Sequence, residues 1–151
     1  MVVSGNSFLR DSLEIIKTDL ARNVSDPAES KRINNNSKFI HTSYPQRSVI
    51  YPIITIDHVS TDFSRAGMQT TNMDGTLNME LRICAKDVKQ RDDLFNDVVN
   101  RLQSIQFSST SGTVNNGMHD FNILSAVNID VPGDAAPHSK VMEVQYKYFD
   151  L

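Results

Sequence analysis

The stretch "TLNMELRICAKDVKQRDDLFNDVVNRL", Thr76 to Leu102, predicts a strand followed directly by a helix. From Thr76 to Ala85, apolar residues alternate strictly with mostly polar ones, which is the pattern of a strand with one buried face. Asp87 and Gln90 then have the spacing of a helix capping box. Apolar residues recur after them at helical spacing, at Val88, Phe95, Val98, Leu102 and Ile105. We therefore expect this helix to pack on the apolar face of the strand.

The rest of the chain supplies one more helix and four more strands. A first helix with Ser7 as its N-cap is predicted by apolar residues at steps of four, three and four: Leu9, Leu13, Ile16 and Leu20. "FIHTSY" and "SVIYPIITID" predict two strands of a hairpin, with a turn at Pro45 to Arg47. Two alternating strands end the chain, the first starting at Phe121 and the second at Met142.

This order of elements predicts an α+β fold, in the order α-β-β-β-α-β-β. We expect a mainly antiparallel sheet of about five strands with two helices packed on one face, the other face being largely polar. The length fits a single domain over residues 1–151. Long polar loops are predicted near residues 24–38, 58–75 and 106–119.

Composition excludes several classes of function. The net charge is −3, and no run of basic residues is dense enough for sequence-independent DNA binding. The nearest approach to a basic patch is assigned to solvated surface: Lys31, Arg32, Lys38 and Arg47. A single cysteine, Cys84, permits no intramolecular disulfide. Neither a basic leader followed by an apolar run nor a membrane-spanning apolar stretch is expected.

The sequence holds no catalytic or metal-binding pattern, so we predict neither an enzyme nor a metal or other cofactor. None of the four histidines lies at metal-ligand spacing from another histidine or the cysteine. Asp57 and His58, with Asp62 nearby, are assigned to a turn-capping or surface role, because adjacent residues of an extended chain point to opposite sides. Cys84 lies on the polar side of a strand and is expected to be inert.

Pro52 stands within an otherwise strand-like apolar stretch. Because proline cannot donate a ladder hydrogen bond, it indicates an edge strand or a bulge. An edge this apolar would invite aggregation unless a loop or another subunit covered it. Where the cover is another subunit, the interface has four candidate residues: Val49, Tyr51, Pro52 and Ile54.

The chain resembles a known family. The element order, together with "YPIITID", "SRAG" at Ser64 to Gly67 and "LNMELRICAKDVKQRDDLFNDVVNRL", is similar to the tail terminator (tail completion) proteins of long-tailed bacteriophages and related tailed viruses. The resemblance covers roughly Phe8 to Phe149, and it concerns the order of the elements and their general residue pattern rather than an invariant motif.

The resemblance implies a structural protein of the virion. Proteins of this family form hexameric rings that cap the tail tube, stop its polymerisation and present a surface for joining the tail to the head or neck. It therefore implies three partners, which are further copies of this chain, the tail tube protein and a neck or head-completion protein. DNA would pass through the lumen without specific binding, and no membrane would be involved. The ring would be assembled in the host cytoplasm and stay at the head-proximal end of the tail.

A polar loop is the candidate contact with the tube or neck, and its candidate residues are Asp62, Phe63, Arg65, Met68, Gln69 and Met73.

Two alternative functions remain. A neck or head-tail joining protein, or the tube subunit itself, could have the same layout. A small-ligand-binding α+β module is the other, and it would need a concave pocket with converging polar groups.

Overall fold

The structure is a computed structural model, and it describes residues 8–35, 37–43, 45, 49–65, 68, 73–105, 118–130 and 137–149. Within these residues the helices are α1 (Phe8–Asn23), α2 (Glu29–Asn35) and α3 (Val88–Ile105). The strands are β1 (Ile40–His41), β2 (Ile53–Arg65), β3 (Met73–Ala85), β4 (His119–Asp130) and β5 (His138–Phe149).

The five strands form one mixed sheet in the order β1-β2-β3-β5-β4. β1 pairs with β2 in parallel through two residues, whereas the β2–β3, β3–β5 and β4–β5 pairs are antiparallel. This confirms a mainly antiparallel α+β fold. The predicted element order is corrected by the presence of α2.

The core lies between the sheet and two helices, α1 and α3. On β3 every second residue from Leu77 to Ala85 is fully buried, as the alternation predicts. α1 contacts β1 and β2, while α3 contacts β3 and β5, so both helices cover the same face of the sheet. Asp87 caps α3, because its Oδ1 accepts the Gln90 N–H at 2.9 Å. The predicted cap of α1, Ser7, lies outside the described residues.

Two of the predicted loops contain regular structure. Within residues 24–38, the second helix α2 spans Glu29–Asn35. Within residues 58–75, β2 continues to Arg65 and β3 begins at Met73, so the two strands form one long hairpin. The outer half of β2 is largely exposed on both faces, which removes the hydrophobic alternation that would have marked it as a strand. Of the third predicted loop, residues 106–117 lie outside the described residues, and His119 begins β4.

The predicted hairpin before residue 57 is wrong, as is the position of Pro52 within an edge strand. β1 runs parallel to β2, with Ile40 opposite Ile54, and the Ile54 N–H donates to the Phe39 carbonyl at 2.9 Å. Pro52 precedes the first residue of β2 and follows a cis peptide bond from Tyr51, so the sheet never requires its missing N–H.

Arg32 of α2 holds the chain that leads into β2. Its guanidinium is buried and donates to the carbonyls of Ile50 and Pro52, while its Nε lies 2.6 Å from Asp26 Oδ2. The same group stacks over the Phe39 ring, 5.1 Å from its centroid. The sequence analysis assigned Arg32 to solvated surface, and this is corrected. Burial of an arginine is tolerated here because an acid and backbone carbonyls satisfy it.

Candidate assembly surface

The most concentrated polar cluster in the described residues lies beneath α1. The Tyr146 hydroxyl donates to Ser12 Oγ at 2.5 Å, and Ser12 Oγ donates to the Leu9 carbonyl at 3.0 Å. His58 Nε2 lies 2.9 Å from the same carbonyl and 3.2 Å from Ser12 Oγ. Ser12 and Tyr146 are buried, and the serine proton is committed to a carbonyl rather than to the imidazole. The cluster therefore fastens α1 to the sheet and is not a nucleophile paired with a base.

The single cysteine is also enclosed. Burial raises the pKa of the Cys84 thiol, whose Sγ accepts a hydrogen bond from Ser139 Oγ at 3.4 Å. This fits the predicted inertness, because the thiolate is the reactive form. Asp57 Oδ1 accepts the His58 N–H at 2.8 Å, whereas the His58 ring points the opposite way, towards α1. Among the described residues, no group of three or more His, Cys, Asp or Glu side chains is placed to hold a metal ion.

An open groove of about 550 Å³ lies between the end of α1 and β1. Its walls carry both signs of charge, with Lys17, Arg22 and Lys38 facing Asp26 and Glu29. Asp26 is already committed to Arg32, at 2.6 Å. The groove thus lacks a set of polar groups converging on one point, which a specific small-ligand site requires.

Of the four interface candidates, two are buried within this chain. Ile54 is completely buried between β1 and β3, and Pro52 is buried as well. Val49 and Tyr51 are half-buried. An interface centred on Ile54 would need β1 to leave the sheet, so the edge predicted from the sequence around Ile54 is not a free edge of this sheet.

The candidate contact loop is largely the outer end of the β2–β3 hairpin. Asp62, Phe63 and Arg65 are exposed on β2, and Met68 is 95% exposed beyond it. The Phe63 ring lies over Gly75 of β3, where an added Cβ would be 3.6 Å from the ring. An aromatic ring opposite a glycine restores packing that the glycine lacks, so Phe63 has a structural role there. Met73 begins β3, and Gln69 lies outside the described residues.

The sheet presents its exposed apolar edge at β4. Its pairing with β5 shifts register twice, between His119 and Asn122 and between Ile123 and Ser125. Each shift changes the face on which later residues point. Val127 and Ile129 therefore lie on the face opposite the helices, although unbroken alternation would have placed them with Phe121 in the core. Three large apolar side chains of β4 are exposed: Leu124 by 49%, Val127 by 58% and Ile129 by 43%.

The face of the sheet opposite the helices is mainly acidic at its centre. Asp57, Glu80 and Glu143 are successive Cα partners across β2, β3 and β5. Arg82 Nη2 lies 3.3 Å from Glu80 Oε1 and offsets one of these charges. The three carboxylates give the middle of this open face a negative potential.

These features define an α+β protein with an exposed apolar sheet edge and a largely polar sheet face. In the described residues, no helix has the length and apolar character to cross a bilayer. Neither a scan against family models nor a search of curated proteins produced a match to the sequence.

Among solved structures, the chain is similar to a chain of the virion of a native gene transfer agent (GTA) particle. The TM-score is 0.55 at 10% sequence identity, and the superposed region covers 89% of this chain and 92% of that chain. At this identity the likeness shows a shared fold. The agreement extends over nearly the full length of both chains.

Proposed function

We propose that this chain is a structural protein of a tailed virion or phage-like particle, and that it forms a hexameric ring capping the tail tube. The observation that carries the proposal is the fold shared with a gene transfer agent virion chain over 89% of this chain and 92% of the other. That likeness agrees with the resemblance of the sequence to tail terminator proteins. The ring stops tube polymerisation and provides the surface for joining the tail to the head or neck.

The described surface suits assembly better than catalysis. Its nucleophiles and histidine–serine cluster are enclosed in the core, whereas the exposed apolar side chains lie on an edge strand and at the end of a hairpin. We therefore propose a non-enzymatic role without a cofactor. The partners are other copies of this chain, the tail tube protein and a neck or head-completion protein, and no membrane takes part.

The acidic open face gives this ring a plausible inner wall. Asp57, Glu80 and Glu143 would repel the phosphates of DNA, which favours passage of DNA without specific binding. The hairpin residues Asp62, Phe63, Arg65 and Met68 project from the core and remain the proposed contact with the tube or neck. Assembly takes place in the host cytoplasm, and the mature ring lies in the virion at the head-proximal end of the tail.

The mass of the purified protein in solution tests this proposal, measured by light scattering at several protein and salt concentrations and combined with negative-stain electron microscopy. We expect annular particles of about six times the 17.0 kDa chain. Long tubes formed by the chain alone would instead identify a tube subunit. A monomer that neither forms rings nor shortens tubes when mixed with the tube protein of the same particle would contradict the proposal.

A further inference from the structure

The sheet has two long edges that no strand of the described residues covers. On one side, β4 pairs with β5 and has no described strand on its outer side. On the other side, β1 pairs with β2 only at Ile54 and Thr55. The outer edge of β2 from Ile56 to Arg65 therefore lacks a described partner strand as well.

Of the features that keep edge strands from associating, β4 has two register shifts in its first half but lacks charge and proline over most of its length. Residues 121–129, "FNILSAVNI", contain no charged residue and no proline. From Leu124 to Ile129 six successive residues are exposed, so both faces of the strand are accessible as well as its edge. Such a strand is a template for another chain to pair with. A sheet edge of this kind is stable in solution only when it is covered.

Strand directions show which edge of a second copy fits. The long strands β2, β3, β5 and β4 alternate in direction across the sheet, so β2 and β4 run in opposite directions. Rotation about an axis roughly along the strands leaves their directions unchanged. In a ring built by such a rotation, β4 of one copy therefore meets the free edge of β2 of the next copy in antiparallel orientation, which gives a regular hydrogen-bonded ladder.

Pairing of β4 with β4 of a second copy is less favourable. In the head-to-tail arrangement, the end of β2 that carries Arg65 lies beside the start of β4 that carries Asp120. Head-to-tail pairing also covers both free edges, whereas a two-fold dimer leaves β2 uncovered.

We infer that copies of this chain join through a seam between β4 (His119–Asp130) of one copy and Ile56–Arg65 of β2 in the next. The seam replaces the interface predicted around Ile54 and makes the sheet continuous from copy to copy. It rests on the proposed function only in requiring several copies of the chain, since a tube subunit could use the same seam.

Cross-linking with paired cysteines tests the seam directly. In a Cys84→Ala background, Ser60→Cys on β2 is combined in turn with Asn122→Cys or Ser125→Cys on β4, all three positions being exposed on the open face. A short bis-maleimide reaches both direct and diagonal cross-strand neighbours. We expect each three-substitution protein to give a ladder of covalent species up to a hexamer, whereas proteins with only one introduced cysteine give none.

Other outcomes would overturn the seam. Covalent dimers from Ser125→Cys alone would show that β4 pairs with β4. Ring-sized particles that give no ladder with either pair would reject the seam and leave the ring intact. A series of cross-linked species, found together with long tubes, would support the seam and reject the capping role. Protein that remains monomeric without cross-links at every concentration, and that neither forms rings nor shortens tubes when mixed with the tube protein of the same particle, would reject both proposals.

A charge on the edge provides the second measurement. Val127→Lys places an ammonium group on the exposed part of β4, and Val88→Lys places the same group on an exposed apolar position at the start of α3. We expect Val127→Lys to weaken assembly about tenfold or more and Val88→Lys to leave it unchanged. Both variants should unfold at nearly the temperature of the parent. Equal assembly of the two variants would contradict the seam.

Discussion

Arg101 of α3 donates two hydrogen bonds to Asp19 of α1, from Nε to Oδ2 at 2.7 Å and from Nη2 to Oδ1 at 2.6 Å. Asp19 is buried beneath α3, although aspartate is usually exposed on a helix surface. The Asn23 side chain also donates to Asp19 Oδ1, at 3.2 Å. The carboxylate is thus satisfied on both oxygens, and hydrogen bonding to it raises the pKa of Arg101. This pair fixes the two helices against each other above the sheet.

Removing one member of this pair should strongly destabilise the protein. Asp19→Asn leaves the guanidinium without its counter-charge, and we expect a loss of about 2 to 4 kcal/mol in the free energy of unfolding, moderated by the partial exposure of Arg101. Denaturant unfolding of Asp19→Asn, Arg101→Met and the double variant gives the coupling energy, expected at about 1 to 3 kcal/mol.

The exposed pair Lys89 and Asp93, 2.7 Å apart on α3, serves as the control for that cycle. Both of its side chains are largely in solvent, so its coupling energy should be much smaller than that of Asp19 and Arg101. Similar coupling energies for the two pairs would show that burial of Asp19 adds nothing to the interaction.

Ile54→Lys should prevent folding rather than dissociate an oligomer. Ile54 is completely buried, with Ile40 of β1 on one side and Ile83 of β3 on the other. An ammonium group there has no partner, and we expect a loss of more than about 4 kcal/mol. The conservative variant Ile54→Val should cost only about 0.5 to 1.5 kcal/mol. Circular dichroism and thermal unfolding distinguish the outcomes, and a folded, monomeric Ile54→Lys would restore the original interface prediction.

The sequence predicted the elements whose hydrophobic period is unbroken. β3 and β5 alternate strictly, and their inward residues, including Met79 and Tyr146, are buried as predicted. The stripe of α3 was also identified, and its residues Val98, Leu102 and Ile105 are fully buried. Val88 of the same stripe is exposed because it occupies the first residue of the helix. For these elements local pattern and tertiary packing agree.

The sequence failed where packing overrides the local pattern. The two register shifts of β4 break its alternation, so Val127 and Ile129 point to the open face, and no residue type marks such shifts in advance. α2 is too short to show a period, and the buried Arg32 that holds it looks like a surface residue in the sequence. One feature of the sequence does indicate the exposed edge at β4, namely the uncharged, strand-like run of residues 121–129.

Arg32 should not be replaceable by lysine. Its guanidinium bonds Asp26 and the carbonyls of Ile50 and Pro52 together, a geometry that a single ammonium group cannot reproduce. We expect Arg32→Lys to lower the free energy of unfolding by about 2 kcal/mol or more and to increase proteolytic cleavage between α2 and β2. Lys31→Ala, at the exposed neighbouring position, is the control and should change stability by less than about 0.5 kcal/mol. Equal protease sensitivity of the two variants would contradict this role.

Stability at alkaline pH should depend on Tyr146. Burial raises the pKa of its hydroxyl well above the ordinary value, and the hydrogen bond to Ser12 opposes this shift without cancelling it. Above about pH 10 the unfolded chain loses this proton while the folded chain keeps it, so the free energy of unfolding falls by about 1.4 kcal/mol per pH unit.

Tyr146→Phe has no such proton. We expect it to be less stable than the parent by about 1 kcal/mol near neutral pH and to lose less stability as the pH rises. Urea unfolding of both proteins between about pH 8 and about pH 11 measures the difference, in which the other alkaline groups cancel because both proteins contain them. A constant difference over this range would show that the Tyr146 hydroxyl ionises equally in the folded and unfolded chains.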